Sequence, residues 1–66
     1  MGKGAFLEDV CAFMGWDIVT KLVIIERPGR WIVQAEGHSE EMVKGEARQN
    51  ALFGLCKKHN IDINTL

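Results

Sequence analysis

Residues 15–37, GWDIVTKLVIIERPGRWIVQAEG, contain the pattern that decides the fold. β-Branched residues dominate the first half and favour a pleated strand, so a strand is predicted over 17–26. Pro28-Gly29 predicts a type II turn, because proline fixes φ and the glycine after it supplies a positive φ. A second strand is predicted over 31–36.

The turn also sets which residues face each other across the hairpin. A type II turn fits the twist of a tight hairpin poorly, so we expect a four-residue loop over 27–30. The predicted pairs are Glu26–Trp31, Ile25–Ile32, Ile24–Val33, Leu22–Ala35 and Lys21–Glu36. Opposite charges in the Lys21–Glu36 pair favour this register.

Side chains alternate between the two faces of a strand, so this register separates two sets. The predicted core face contains Ile18, Leu22, Ile24, Trp31, Val33 and Ala35. The other face is also apolar and contains Val19, Val23, Ile25 and Ile32. A small domain has one core, so the apolar residues of the second face must be buried by another part of the chain or by a partner.

Helices are predicted on both sides of the hairpin. Residues 5–14 have an apolar stripe at helical spacing, and Gly15 is placed to cap that helix. Residues 40–59 are predicted to form a long helix with Ser39 as its N-cap. Two apolar ridges run along it. The first contains Val43, Ala47, Ala51 and Leu55, and its small residues are expected to face the sheet; the second contains Met42, Leu52, Phe53 and Cys56.

The predicted fold class is therefore α+β, a single α-β-β-α domain over 1–66 with an antiparallel hairpin packed on a long C-terminal helix. The tail, 61–66, is predicted to be a short extra strand or a lid. A lone hairpin is marginal in water, so we expect a second copy of the chain to complete the domain as a homodimer. The two hairpins would either pair edge to edge into a four-stranded sheet or stack their apolar faces. The alternative is a monomer in which the first helix and the tail cover both faces of the hairpin.

Composition narrows the class of protein. Eight basic and nine acidic residues give a net charge of −1, whereas strong nucleic-acid binders usually have a basic excess. We expect no secretory signal at the start of the chain, and the sequence has no apolar run of about 20 residues that could span a membrane. We therefore expect a cytoplasmic protein with no membrane association and with Cys11 and Cys56 as reduced, buried thiols.

Residues with catalytic or metal-binding potential form no recognisable motif. Cys11, Cys56, His38 and His59 match no zinc-ligand spacing. Cys56 and His59 are neighbours on the predicted long helix, but a reactive thiol also needs an oriented base and a pocket. We expect no catalytic site, no cofactor and no metal.

The predicted order of elements resembles the double-stranded-RNA-binding domain, which begins and ends with a helix. That family has three strands and a lysine-rich start to its last helix, which contacts phosphates. Here the third strand is missing from the predicted order, and glutamates occupy the predicted start of the helix. The resemblance implies nucleic-acid binding as an alternative function. Its predicted contact residues are Lys44, Arg48 and Lys58, which are expected to line one side of the long helix.

A second resemblance covers most of the chain. It rests on FMGW at 13–16, WIV at 31–33, GEA at 45–47 and NAL at 50–52. These runs resemble small phage and prophage proteins, in particular the phage ABA-sandwich group. The resemblance implies a viral or mobile-element origin and a non-catalytic role.

We therefore expect a small phage-type accessory protein that binds a host or phage protein and inhibits a host enzyme or a defence complex, as anti-CRISPR proteins do. Trp and Arg dominate many interfaces, so the contact surface is placed at the hairpin. Its predicted residues are Ile25, Arg27, Arg30, Trp31 and Ile32. Ordinary core packing is the alternative role for Trp31, and a self-assembling structural subunit is the remaining alternative function.

Overall fold

The computed structural model describes residues 3–65 and has an α+β fold. Two helices flank a three-stranded antiparallel sheet whose strand order is β1-β2-β3. The elements are α1 (Lys3–Met14), β1 (Leu22–Arg27), β2 (Arg30–Ala35), β3 (His38–Val43), α2 (Ala47–Lys58) and a short 3-10 helix (Ile63–Thr65). Leu66, the last residue of the predicted tail, lies outside the described residues.

The predicted hairpin register is confirmed within β1 and β2. Ile25 lies opposite Ile32, and Ile24 lies opposite Val33. The expected four-residue loop is wrong, because Arg27 pairs with Arg30 and only Pro28-Gly29 remain between the strands. Gly29 has φ +77°, which meets the demand for a positive φ at this position of the turn.

The prediction of a helix from residue 40 is wrong, because His38–Val43 form the third strand. β3 pairs antiparallel with β2, and Ser39, the predicted N-cap, lies inside the strand opposite Gln34. Glycines explain both boundaries: Gly37 has φ +77° in the turn before β3, and Gly45 has φ +86° in the turn before α2. The N-cap of α2 is Glu46.

The segment before β1 also differs from the prediction. The strand begins at Leu22, so the alternation of faces does not extend back to residue 17. Ile18, predicted to be in the core, is 75% exposed, whereas Val19, predicted on the other face, is only 6% exposed. The two residues exchange roles because they belong to the connection between α1 and the sheet.

Both helices pack on one side of the sheet. The buried cluster between them contains Phe6, Val10, Met14, Leu22, Ile24, Val33, Met42, Leu52 and Cys56. The predicted use of the small-residue ridge of α2 is wrong: Ala47 and Ala51 are exposed. Leu52 and Cys56 face the core instead. Because α2 begins only after β3, these two larger side chains decide which side of the helix is buried.

The ends of the helices are held by local hydrogen bonds. Gly15, at φ +74°, donates its N–H to the carbonyl of Cys11 and confirms the predicted cap. At the end of α2, Asn60 has φ +57° and Ile61 donates to the carbonyl of Cys56 at 2.8 Å, which is the bonding pattern of a Schellman motif. The tail after this cap is a 3-10 helix, not a strand, and Ile63 within it packs against the core.

Candidate functional site

Within residues 3–65, one side of the sheet carries no helix. Alternation along the strands and their register place nine residues on this side, which we call the open face. The open face contains Val23, Ile25, Arg27, Arg30, Ile32, Gln34, Ser39, Glu41 and Val43. None of these side chains belongs to the buried cluster or packs against it.

The centre of the open face is apolar. Ile25 and Ile32 lie directly opposite each other, and both are half-buried, as is Val23 beside them. Val43, at the other edge, is 53% exposed. Single exposed apolar residues are common on soluble proteins, but four on one side of one small sheet form a patch of the kind that marks interaction sites.

One end of the open face is positively charged. Arg27 and Arg30 lie directly opposite each other in the hairpin. Nε of Arg30 donates to Oε1 of Glu41 at 3.0 Å, whereas Nη1 of Arg27 donates to the backbone carbonyl of Glu26 at 3.1 Å. Glu41 and Val43 were missed as members of this surface because they were predicted to be helical. The sequence signal that separates them from α2 is the pair of glycines, Gly37 and Gly45, on either side of the strand.

Trp31 does not share a surface with the other four predicted contact residues. It lies on the helix-covered side of β2, where its ring meets Phe53 of α2 edge-on, with the centroids 4.9 Å apart. Nζ of Lys44 lies 5.1 Å from the Trp31 ring centroid. Trp31 therefore has the core role that was left open for it, and Ile25, Ile32, Arg27 and Arg30 remain together on the open face.

The three basic residues of the nucleic-acid alternative do not form one row. Lys44 is in the turn before α2, Arg48 is in the first turn of the helix and Lys58 is its last residue. Arg48 and Lys58 are ten positions apart, or about 15 Å along a helix. Each is already paired with an acid: Lys44 with Glu26 at 2.5 Å, Arg48 with Glu40 at 2.5 Å and Lys58 with Asp9 at 3.7 Å.

The third strand changes the comparison with the double-stranded-RNA-binding domain. With β3 present, the order of elements is α-β-β-β-α, so the strand that was missing from the prediction is found. The start of α2 still lacks the lysine-rich sequence, because Glu46 is its N-cap and Arg48 is held by Glu40 and lies 5.2 Å from the Phe13 ring centroid.

Cys56 and His59, the neighbours considered for nucleophilic chemistry, have different surroundings. Cys56 is 2% exposed, and burial raises the pKa of its thiol above the usual 9.0. His59 bonds through Nε2 to Oδ2 of Asp9 at 2.7 Å and meets the Phe6 ring edge-on. This arrangement ties α1 to α2. No group of three or more potential metal-binding side chains exists within residues 3–65.

The Asp9–His59 contact predicts a loss of stability in acid. The hydrogen bond from His59 and the charge of Lys58 hold the pKa of Asp9 below its usual 3.8. A carboxylate with a lowered folded-state pKa stabilises the fold above pH 3.8, and the stabilisation disappears as the pH falls through the lowered pKa. In chemical denaturation between pH 2 and pH 6, Asp9→Asn should destabilise the chain at pH 6, and the difference from the unmodified chain should vanish towards pH 2.

Glu8→Gln is the matched control for that experiment. Glu8 is exposed and lies next to Asp9 in α1. Within the described part of the chain it forms no ion pair, so its profile should follow that of the unmodified chain. A constant difference between Asp9→Asn and the unmodified chain at every pH would contradict the assignment.

Comparison with known proteins adds no relative: no protein family, no curated protein and no solved structure matches the chain. Among residues 3–65, no helix has the length and apolar character needed to cross a membrane.

Proposed function

We propose that the chain is a small non-catalytic protein-binding module that uses the open face to dock onto another protein. One observation carries the proposal: Ile25, Ile32, Val23 and Val43 lie together on a side of the sheet that neither helix covers. Both helices already pack on the opposite side. The apolar area of the open face is therefore available to a partner, and its burial would favour association.

The charged end of the open face defines the chemistry of that partner. Like charges directly opposite each other in a sheet destabilise the pair, and Arg27 faces Arg30 in this way. Glu41 compensates Arg30. Arg27 has no carboxylate partner among the residues that the structure describes. We infer that the partner presents an apolar surface with a carboxylate placed to meet Arg27, because a guanidinium binds a carboxylate through two parallel hydrogen bonds.

The sequence resemblance to phage proteins supports the cellular setting that we propose. In this proposal the chain acts inside a cell, and its partner is a host enzyme or a defence complex that binding inhibits. A length of 66 residues is consistent with such a role.

Substitutions on the open face test the proposal. Arg27→Glu reverses the charge, and Ile32→Thr removes apolar surface while retaining a β-branched residue that suits a strand. Partners are captured from a lysate of the host cells, purified and titrated calorimetrically against each variant. We expect either substitution to weaken binding by about tenfold or more, which corresponds to about 1.4 kcal/mol.

Lys57→Glu is the matched control, because Lys57 is exposed on α2, on the other side of the sheet. It should leave the affinity unchanged. A partner whose affinity responds to Lys57→Glu but not to Arg27→Glu would contradict the proposal. An RNA gel shift at low and moderate salt tests the alternative, since phosphate contacts weaken steeply with salt. Salt-sensitive RNA binding that Lys44→Glu abolishes would also overturn the open face as the functional site.

A further inference from the structure

The two outer strands of the sheet differ in how they are protected. An unpaired edge strand invites another strand to pair with it, and proteins usually protect such edges with charges, proline or bulges. β3 carries Glu40 and Glu41 along its length. β1 begins with four consecutive apolar residues, 22–25, carries its two charges, Glu26 and Arg27, only at its last two positions, and has no proline, glycine or bulge within its paired length. The first half of β1 is therefore the less protected edge.

The hydrogen-bond directions in the sheet identify which backbone groups β1 offers. The N–H of Lys44 donates to the carbonyl of Gly29 at 3.0 Å, so this opposite pair is hydrogen-bonded. The direction of the backbone N–H and C=O groups alternates from one residue to the next along an antiparallel strand. In β2, the backbone groups of Trp31 and Val33 therefore bond to β3. Those of Arg30, Ile32 and Gln34 bond to β1. Their partners in β1 are Arg27, Ile25 and Val23.

It follows that Leu22, Ile24 and Glu26 direct their N–H and C=O groups away from the sheet. The carbonyl of Glu26 accepts a bond from Nη1 of Arg27 at 3.1 Å. For Leu22 and Ile24, the described residues supply no second strand on this side. The side chains of both residues are buried, with 5% and 7% exposure, so their peptide groups lie beside the apolar core. An unpaired peptide group costs most free energy where water is excluded, so hydrogen bonds from a second strand would stabilise these two most.

We propose that a second copy of the chain pairs with β1, so that two three-stranded sheets join into one six-stranded sheet across a two-fold axis. The two β1 strands run antiparallel, as two-fold symmetry requires when the helices of both copies lie on the same side. A net charge of −1 leaves little repulsion between the copies. This inference goes beyond the proposed function and does not depend on it.

The chemistry of β1 selects the register of this pairing. With Val23 opposite the partner's Val23, Leu22 faces the partner's Ile24, so apolar residues meet on both sides of the sheet. Sliding the strands by two positions would place Leu22 against the partner's Glu26 and Lys21 against the partner's Arg27. Like charges opposite each other disfavour that alternative. The selected register also joins the two open faces into one surface.

Charge placed at the two-fold axis tests the inference. Val23→Lys would put two ammonium groups opposite each other in the dimer, whereas in a single chain the new lysine lies on the half-exposed open face. We expect sedimentation equilibrium to show a dimer for the unmodified chain and at least tenfold weaker dimerisation for Val23→Lys. Gln34→Lys is the matched control: it adds the same charge to the same face, one strand farther from the axis, and should leave the dimer intact.

Circular dichroism and thermal melting establish that both variants fold. If the unmodified chain is monomeric at millimolar concentration, the proposal is overturned. A strand from another protein would then be the remaining candidate to pair with β1. Equal dimerisation of Val23→Lys and the unmodified chain would place the contact elsewhere and would also overturn it.

Disulfide cross-linking provides a second test, which depends on distance rather than charge. The selected register places Val23 and the partner's Val23 at a directly opposed position, within the Cα separation that a disulfide spans. Val23→Cys should cross-link under mild oxidation, whereas Ser39→Cys, on the outer edge of β3, should not. The native Cys11 and Cys56 are each 2% exposed and should contribute little. Equal cross-linking of the two variants would refute the β1 pairing.

These measurements use the purified chain alone, so their outcome is separate from that of the proposed function. Loss of partner binding by Arg27→Glu in a chain that remains dimeric would support both proposals. An intact dimer that binds its partner equally well after substitution of Arg27 or Ile32 would overturn the proposed function only.

Discussion

Replacing Leu52 with alanine is expected to remove most of the cooperative stability of the chain. Leu52 is completely buried between α2 and the sheet. A Leu→Ala substitution at such a site costs about 2–5 kcal/mol, because apolar contacts are lost and a cavity remains. A domain of this length is stabilised by roughly 3–10 kcal/mol in total. In thermal denaturation, the midpoint should fall by more than about 10 °C, or the cooperative transition should disappear.

Leu55→Ala is the matched control because it makes the same chemical change one turn farther along the same helix. Leu55 is only half-buried, at the margin of the core, so its substitution should cost clearly less than that of Leu52. The comparison also tests the rotation of α2. If the ridge with Ala47 and Ala51 faced the sheet, Leu55 would be the more sensitive position, and that result would refute the packing described here.

Trp31→Ala should have the second largest effect, and the effect should be on folding. Trp31 packs edge-on against Phe53 and lies beneath the ammonium group of Lys44. Removing a large aromatic side chain from the sheet–helix interface costs about 3 kcal/mol, the lower end of the range for buried aromatic residues, since Trp31 is half-buried. Urea denaturation should show this loss directly.

Trp31→Phe is the control because phenylalanine retains an aromatic contact with Phe53. It should recover a large part of the lost stability and should leave partner binding unchanged. An alanine variant of normal stability that fails to bind the partner would contradict the core role of Trp31 and would restore it to the contact surface.

The hairpin could be predicted from the sequence because two independent signals agree there. Pro28-Gly29 fixes the centre of the turn, and the β-branched run before it has few structural alternatives. Together they gave the correct pairing of Ile24 with Val33 and of Ile25 with Ile32. The open face was predicted in part for the same reason, since its central residues depend on this register alone.

The third strand could not be predicted because its sequence favours a helix locally. Ser39 followed by Glu40 and Glu41 has the composition of a helix start, where the dipole favours acids. In the fold, pairing with β2 overrides this preference, and Met42 enters the core at 3% exposure. Two glycines with positive φ, Gly37 and Gly45, bracket the strand, and their spacing was the available signal.

The side of α2 that faces the sheet was predicted wrongly because the third strand was missed. When residues 40–59 are treated as one helix, Val43, Ala47, Ala51 and Leu55 form a regular ridge. The actual helix is positioned by its ends: Gln49 accepts the N–H of Gly45 through Oε1 at 2.7 Å, and the Schellman motif at Asn60 fixes the exit. Which ridge is buried is a tertiary property, and helical spacing alone does not determine it.

The contact between Asp9 and His59 joins residues that are 50 positions apart. The three strands, by contrast, are linked by two-residue turns and pair with their immediate neighbours in the chain. During folding, the hairpins can form with little loss of chain entropy, whereas docking of α1 beside α2 closes a loop of nearly the whole polypeptide. We therefore expect the pairing of the two helices to form more slowly than either hairpin.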